Sequence, residues 1–441
     1  MHVKTRNLWV LVLMTLPQAT PALPQQALPQ AAPRRITVEE AEQMAVRNHP
    51  RLASADLNAQ AAGQKLNEAR AAFYPTLSAN MTGAGAERGS IVESGALTTS
   101  SLYSRAAGGV VLTQMVTDFG RTGDLSREAS QRAAARIESA AQTRAEIVLE
   151  VRRAYSEALG SDSVLKVANE TVEYRRTQLR QVETLAQSFM RSTLDVSFAQ
   201  VNLSDAELTL FRAENDAHSA RARLGAAMGT DSAAPFELVD EPLPAEPPAD
   251  AEAMVRAALR QRPDLAALRL DHDAAISLAQ AEKRLGAPTV NLLAVAGGAP
   301  AIEGPPRSTY AAAGVNVSIP IFNGGLFAAR RSEAELRATA AQRDVDDLVL
   351  RVARDVRIAW LEANNAWGRL DLTARMVDQA NQAVRLAQAR YDLGLGGIVE
   401  LNQAQLSQTT AQINAAAAKY DYITRVAELD FVTGNLTGSK P

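Results

Sequence analysis

The chain has 441 residues, of which 46% are hydrophobic but only 5% aromatic, and its 49 acidic and 46 basic residues give a formal net charge of -3. This balance argues against a strongly basic nucleic-acid-binding protein, so no nucleic-acid partner is expected. The 25 glycines and 19 prolines are too few for a disordered or collagen-like chain. Because Ala, Val and Leu dominate the apolar residues, the composition favours closely packed helices.

Residue types that carry catalysis or bind metals are scarce in this sequence. There is no cysteine, which excludes disulfides, cysteine zinc sites, thiol nucleophiles and a lipid-modified N-terminal cysteine. The four histidines (His2, His49, His218 and His272) do not lie at a helical ligand spacing, and no HExxH, phosphate-loop or GxSxG motif occurs. We therefore predict that the protein is not an enzyme and needs neither a cofactor nor a metal.

The first residues have the features of a secretory signal peptide. Lys4 and Arg6 precede an apolar run at 8–16, and small residues around Ala22 suit a signal peptidase. We predict a signal peptide at 1–22 and a proline-rich N-terminal segment at 23–35. The alternative, a short buried helix, fits the extreme N-terminal position less well. No later stretch has 18 consecutive apolar residues, so no transmembrane helix is expected.

The two halves of the sequence repeat each other. Residues 151–158 and 356–363 are identical at five of eight positions, at an offset of 205. Earlier in each half the offset is 213, which pairs Pro75 with Pro288. A period near 200 is too long for a solenoid repeat, so it indicates duplication of a whole structural unit.

The duplication predicts the domain boundaries. The first repeat runs from 36 to 234 and the second from 250 to 436, with a C-terminal tail at 437–441. A proline-rich linker at 235–249 joins the repeats.

Each repeat begins with a helical pattern followed by strands. The helices are predicted at 38–72 and 251–285, because Pro75 and Pro288 mark the end of each pattern. Apolar and polar residues then alternate with period two at 77–82 and at 315–321. One apolar and one polar face fit a barrel strand between lipid and water, although a half-buried strand of a soluble sheet has the same pattern. The chain offers no other sheet with which the four predicted strands could pair.

A long helix follows the strands in each repeat. From Val345 to Tyr391 apolar residues recur at spacings of four and three, and only Thr373 in this series is polar. Such a seam is typical of a coiled coil, and the helix from 325 to 391 would be about 100 Å long. Shifted back by 205, the first repeat shows the same seam, with apolar positions from Ile147 to Ala186 and interruptions at Arg144, Ser161 and Arg175.

Shorter returning helices are predicted at 195–228 and 400–432. In each repeat, the first helix and the returning helix together nearly equal the long helix in length. Two short helices stacked end to end could therefore lie beside one long helix.

The order of these elements resembles the TolC family of outer-membrane export channels, over 36–436. Three local patterns also resemble that family: Phe73-Tyr74-Pro75 before the first strand, the segment 320–325 at the strand-to-helix junction, and Tyr391-x-x-Gly394 followed by Glu400-Leu401-x-x-Ala404-Gln405. The resemblance implies a mostly helical fold with a membrane β-barrel, in which each protomer of a homotrimer contributes four strands and a share of an α-helical periplasmic tunnel. It also implies outer-membrane lipid, a periplasmic adaptor protein and an inner-membrane transporter as partners.

Four strands are too few to close a barrel, for which about eight are needed, so a spanning role would require several chains. The loops near 83–106 and 297–309 would then face the cell exterior. The function that the resemblance implies is the outer-membrane exit duct of a tripartite efflux pump or of a type I secretion system.

The resemblance also implies a gate at the turn between the long and returning helices. Tyr391 matches a tyrosine that ties the inner helix pair to the outer one through an acid at Asp195. Glu400 and Gln403 match two acidic positions around the narrowest point, although Gln403 departs from the pattern. The tip turn contains Gly394 and Gly396, and Gly396 stands where a linking arginine is expected.

The same residues could also have structural roles without any gate. Tyr391 could merely end the apolar seam, and Glu400 could be an acid that interacts with the helix dipole. Tyr155 and Trp360 are interpreted as packing residues. For the whole protein, the alternative function is a periplasmic coiled-coil structural or adaptor protein without a pore.

Overall fold

The computed structural model describes residues 34–85, 91–94, 97–101, 105–230, 236–299 and 309–437. The predicted signal peptide, most of the proline-rich N-terminal segment and residues 438–441 lie outside the described residues, as do parts of both predicted exterior loops. The predicted repeat boundaries stay predictions.

Long helices dominate the described chain. The α-helices are α1 Val38–Asn48, α2 Pro50–Ala71, α3 Arg121–Gln187, α4 Thr193–Ala227, α5 Ala251–Gln261, α6 Pro263–Lys283, α7 Leu326–Asp392 and α8 Ile398–Thr433. The strands are β1 Arg34–Ile36, β2 Thr76–Ala84, β3 Ile91–Ser94, β4 Leu97–Ser101, β5 Arg105–Thr117, β6 Phe236–Leu238, β7 Thr289–Gly298 and β8 Thr309–Ser318. Among the helices in the described ranges, none has an apolar stretch long enough to cross a membrane.

The structure confirms that helix and strand units are duplicated. Helices α3 and α7 have 67 residues each and begin and end 205 positions apart. Helices α1 and α5 are related by the other predicted offset, 213. The backbone repeats as well, because the residues with positive φ in the described chain form four pairs 205 apart: Phe119 with Gly324, Gly120 with Gly325, Phe189 with Gly394, and Gly229 with Gly434.

The predicted continuous helices at 38–72 and 251–285 are wrong in one respect, because each is broken once. Pro50 and Pro263 open α2 and α6, and the residues before them, His49 and Arg262, are extended with ψ of 121° and 124°. The proline ring disfavours the helical conformation of the preceding residue, which ends α1 and α5. Each repeat therefore begins with two helices, not one.

The apolar seams of the long helices are covered along their whole length. In α7 the seam residues Val352 and Val356 have no exposed surface, and every predicted seam position from Val345 to Tyr391 is at least half-buried. Short helices cover the seams by lying end to end, as predicted. The end of α4 reaches the α1–α2 junction at Gly229, and the end of α8 reaches the α5–α6 junction at Gly434.

A four-stranded antiparallel sheet lies at one end of the long helices. Its order is β2-β5-β7-β8, and pairs such as Val111 with Val295 between β5 and β7 join the two repeats. Strands β2 and β8 form the open edges, and every residue of β8 is exposed. Strands β3 and β4 form a small separate hairpin within the first predicted exterior loop.

The linker is held against the helices by aromatic side chains. Strand β6 of the linker pairs in parallel with β1, a contact that the sequence did not predict. The Tyr155 hydroxyl donates to the Ile36 carbonyl (2.7 Å) and accepts from the Val239 amide (3.0 Å), and burial raises the pKa of Tyr155 to about 12. Trp360 Nε1 donates to the Pro248 carbonyl (2.7 Å). Tyr155 and Trp360 thus bind the linker backbone in addition to packing.

The junction at Gly229 gives a test of the end-to-end arrangement. Gly229 has φ of +67°, and an added Cβ would lie 2.9 Å from His49 Cα. We expect Gly229→Ala to lower the free energy of unfolding by about 2 kcal/mol, through left-handed strain and contact with the backbone of the α1–α2 junction. The measurement is urea-induced loss of helical circular dichroism.

The matched control is Gly368→Ala in the middle of α7, where nothing lies near the added Cβ. This variant should raise stability by about 0.5 to 1 kcal/mol, because alanine is the better helix former. Equal effects of the two substitutions would contradict the close junction at Gly229.

Candidate functional site

The site predicted from the sequence lies at two equivalent turns, 188–192 between α3 and α4 and 393–397 between α7 and α8. Both turns are Schellman motifs. The amide of Met190 donates to the Leu185 carbonyl (2.9 Å), and that of Leu395 donates to the Arg390 carbonyl (2.8 Å). The left-handed residue is Gly394 in one turn and Phe189 in the other, with φ of 70° and 55°.

Phe189 is an unusual occupant of its turn. A left-handed conformation costs a residue with a Cβ about 1 to 2 kcal/mol, which is why glycine normally occupies this position. The Phe189 side chain is 96% exposed, so packing within the described chain does not compensate for the strain. The first turn therefore presents a strained, exposed aromatic side chain where the second has Gly394.

The two predicted acids, Asp195 and Glu400, occupy equivalent positions but have different partners. Asp195 forms a capping box, in which its carboxylate accepts from the Ser192 amide (3.3 Å) and its amide donates to Ser192 Oγ (3.2 Å). The equivalent N-cap of α8 is Gly397, which has no side chain to cap the helix. Glu400 instead forms an ion pair with Arg390 across the turn (3.2 Å).

Tyr391 is buried at the end of α7 among Ala387, Ile398 and Leu401. Its hydroxyl has no hydrogen-bond partner among the described residues. Burial raises the pKa of Tyr391, with a further rise from the charge of Asp195 and an opposing effect of Arg191. The structure thus brings Asp195 near Tyr391 but does not join them by a hydrogen bond, and the predicted contact stays a prediction.

Arg191 makes the contact that ties the two turns together. Its Nη2 donates to the Tyr391 carbonyl (2.7 Å), and its guanidinium carbon lies 4.0 Å from the centre of the Tyr391 ring. A cation at a helix C-terminus and over an aromatic face is stabilising on both counts. Arg191 lies 205 positions before Gly396, the position at which the resemblance to the TolC family predicts a linking arginine. The repeat offset was the signal that could have identified it.

The two remaining predicted site residues are Gln403 and Gly396. Gln403 is exposed on the first turns of α8 and lines a groove with Val399 and Phe198. A Cβ at Gly396 would lie 3.1 Å from the Glu400 carboxylate and 3.2 Å from Arg390 Cβ, so a larger residue there would disturb that ion pair. In the described part of the chain, no three His, Asp or Glu residues are grouped closely enough to hold a metal ion.

Comparisons with known proteins identify the class of this chain. A family described as outer membrane efflux protein matches residues 42–230 and 254–435. TolC of Vibrio cholerae is 31% identical over 28% of this chain and 28% of that protein, and the alkaline protease secretion protein AprF of Pseudomonas aeruginosa is 26% identical over 66% and 62%. The chain thus spans less than two thirds of either relative.

The fold has solved counterparts as well. The outer membrane protein VceC of Vibrio cholerae superimposes with a TM-score of 0.77, covering 90% of this chain and 96% of that one at 19% identity.

The contact between the turns can be tested by amide hydrogen exchange. We expect Arg191→Met to increase exchange at 388–396 by about tenfold, because a hydrogen bond to a charged group contributes about 1.5 to 3 kcal/mol. Tyr391→Phe should leave exchange unchanged, since the hydroxyl has no partner in the described chain. A larger effect of Tyr391→Phe than of Arg191→Met would favour the predicted Asp195 contact instead.

The control for this measurement is Arg385→Met. Arg385 is an exposed arginine of α7, about 9 Å from Tyr391 along the helix axis. Its substitution should leave exchange at the turn unchanged.

Proposed function

Because the chain belongs to the outer membrane efflux protein family, which includes TolC, we propose that it forms the exit duct of a tripartite efflux pump or a type I secretion system. It is an outer-membrane transport protein of this family. The main structural support for the proposal is that the sheet and the helical layer each have two outer edges without a partner among the described residues. The sequence-based alternative, a periplasmic adaptor without a pore, gains no support from the family match.

The open edges of the sheet require further strands. Among the described residues, strands β2 and β8 have no partner on their outer sides, and four strands cannot close on themselves. Three chains would supply twelve strands, enough for a closed barrel. The edge β8 of one protomer would then pair with the edge β2 of the next.

The helical layer also has two unlike outer flanks. Its order is α4-α3-α8-α7, because α3 contacts both α4 and α8, and α8 contacts α7. The outer flank of α7 carries an exposed leucine stripe, here called the α7 stripe, in which the residues recur every 11 or 14 positions: Leu336, Leu350, Leu361, Leu372 and Leu386. The opposite flank, on α4, exposes Leu194, Val201 and Leu208 at a heptad spacing.

These two flanks suit each other across a subunit boundary. Each exposes apolar side chains that no other part of the described chain covers, and they lie at opposite ends of the layer. Contacts between unlike faces build a ring when the rotation closes. Sheet and helices therefore both favour a cyclic assembly, and we propose a homotrimer. The family match, not the geometry, is the basis for proposing a periplasmic adaptor and an inner-membrane transporter as further partners.

The subunit contact predicts the behaviour of the assembly on gels. The unheated protein should migrate as a trimer in detergent and as a monomer after boiling. Leu386→Glu should shift the unheated sample towards monomer, because it places a charge in the part of the α7 stripe that is level with the exposed apolar residues of α4. Leu386→Met, which keeps the apolar area, should migrate like the native protein, and a native protein that is monomeric before heating would refute the trimer.

The gate proposal concerns Glu400 and Gln403. In a trimer, three copies of Glu400 would surround the axis near the turns, where Arg390 offsets part of their charge. A trivalent cation should therefore block single-channel current in a planar bilayer, and Glu400→Ala should abolish the block. Gln403→Glu should strengthen the block by adding a second acidic ring.

The control for the gate is Glu207→Ala. Glu207 is an exposed acid on α4 that is paired with Arg176. Its removal should leave the block unchanged. Equal block in native protein and Glu400→Ala would mean that Glu400 only stabilises the start of α8.

A further inference from the structure

A groove of about 400 Å³ runs between α4 and α8, with α3 as its floor. It begins at the first turn of α8, beside Val399 and Gln403. Its walls expose the apolar side chains of Phe198 and Leu406. Both the volume and this lining are typical of a site for a small organic molecule.

The floor of the groove carries a buried positive charge. Arg175 is 7% exposed, and its guanidinium donates to the side-chain oxygens of Gln178 (3.1 Å) and Gln405. Gln405 is itself oriented by a hydrogen bond from its Nε2 to the Tyr174 hydroxyl (2.8 Å). Within the described chain no carboxylate forms an ion pair with Arg175. Burial lowers the pKa of Arg175, as expected for a charge without a counter-ion.

Two amide side chains in the walls are also unsatisfied. Asn202 Nδ2 and Asn402 Oδ1 are buried and have no hydrogen-bond partner among the described residues. A buried polar atom without a partner costs about 1 to 3 kcal/mol. Asp205, the one carboxylate of the lining, is exposed at the rim.

We propose that this groove binds an amphipathic organic anion, with an acidic group on Arg175 and an apolar body against Phe198 and Leu406. A carboxylate or sulfonate would supply the counter-ion that Arg175 lacks and a hydrogen-bond acceptor for Asn202. A second copy of the chain packing an apolar helix face here would leave Arg175 without a counter-ion and Asn202 Nδ2 without an acceptor. Gln403 fits the assignment, because an acid at this wall position would repel an anion.

Binding would have a mechanical consequence. The groove joins α4 of the first repeat to α8 of the second, so a ligand spanning it would hold the two helical hairpins together just above their turns. This consequence for conductance rests on the proposed channel function, whereas the binding itself does not.

The test uses the full chain in detergent and 1-naphthalenesulfonate as the probe, with affinity measured by isothermal titration calorimetry. Arg175→Met should weaken binding about tenfold or more, while Arg175→Lys, which keeps the charge, should retain most of it. Gln403→Glu should also weaken binding. The cation 1-naphthylmethylammonium should bind the native protein more weakly than the sulfonate does.

The matched control is Arg176→Met, because Arg176 is the next residue of α3 but is exposed and paired with Glu173 and Glu207. This variant should bind like the native protein, and circular dichroism melting should show that each variant is folded. Unchanged affinity in Arg175→Met, or a preference for the cation, would overturn the proposal. So would the absence of binding at millimolar probe, which would mean that another copy of the chain covers the groove. Binding without any effect on conductance would leave the site intact and contradict only its mechanical consequence.

Discussion

The structure depends on covering two apolar seams that each run along a helix of 67 residues. A helix of that length spans about 100 Å, and an uncovered seam would leave valines and alanines in water. Neither α4 nor α8 is long enough to cover its partner alone. Each repeat solves this with short helices stacked end to end, so the junctions at Gly229 and Gly434, where backbones meet, become fixed points of the fold.

The same arrangement leaves the single chain incomplete at both flanks. A helical layer built from two equivalent repeats ends in α4 on one side and α7 on the other, and the sheet ends in β2 and β8. The flanks are unlike, so they cannot pair in a twofold dimer through the same surface, but they can pair head to tail around a ring. Duplication within one chain and assembly between chains thus use the same geometry.

The two turns show how the repeats have diverged on a common backbone. The Schellman geometry is kept in both, while the side chains differ at each equivalent position. Asp195 is fixed in a capping box, whereas Glu400 follows the uncapped Gly397 and pairs with Arg390. Side chains of the first turn and of the start of α4 therefore stabilise the first turn. Arg191 of this turn also donates a hydrogen bond to Tyr391 at the second turn. The helix after the second turn has no side-chain N-cap.

The sequence by itself determined the architecture, because helices and strands leave local periodicities and a duplication leaves a constant offset. Seam positions such as Val352 and Val356, and the equivalence of the two long helices, follow from patterns within short windows. The breaks at Pro50 and Pro263 were equally local, and they were missed because the apolar pattern continues past them.

Only the tertiary structure decided which side chains meet. Arg175 interrupts the seam in the sequence, yet its buried and unpaired state depends on α8 presenting Gln405 and no acid opposite it. Arg191 contacts Tyr391 across 200 residues, and Tyr155 reaches the linker in the same way. Periodicity specifies which face of a helix is buried, but it carries no information about the chemistry of the helix that covers that face, because that helix is distant in sequence.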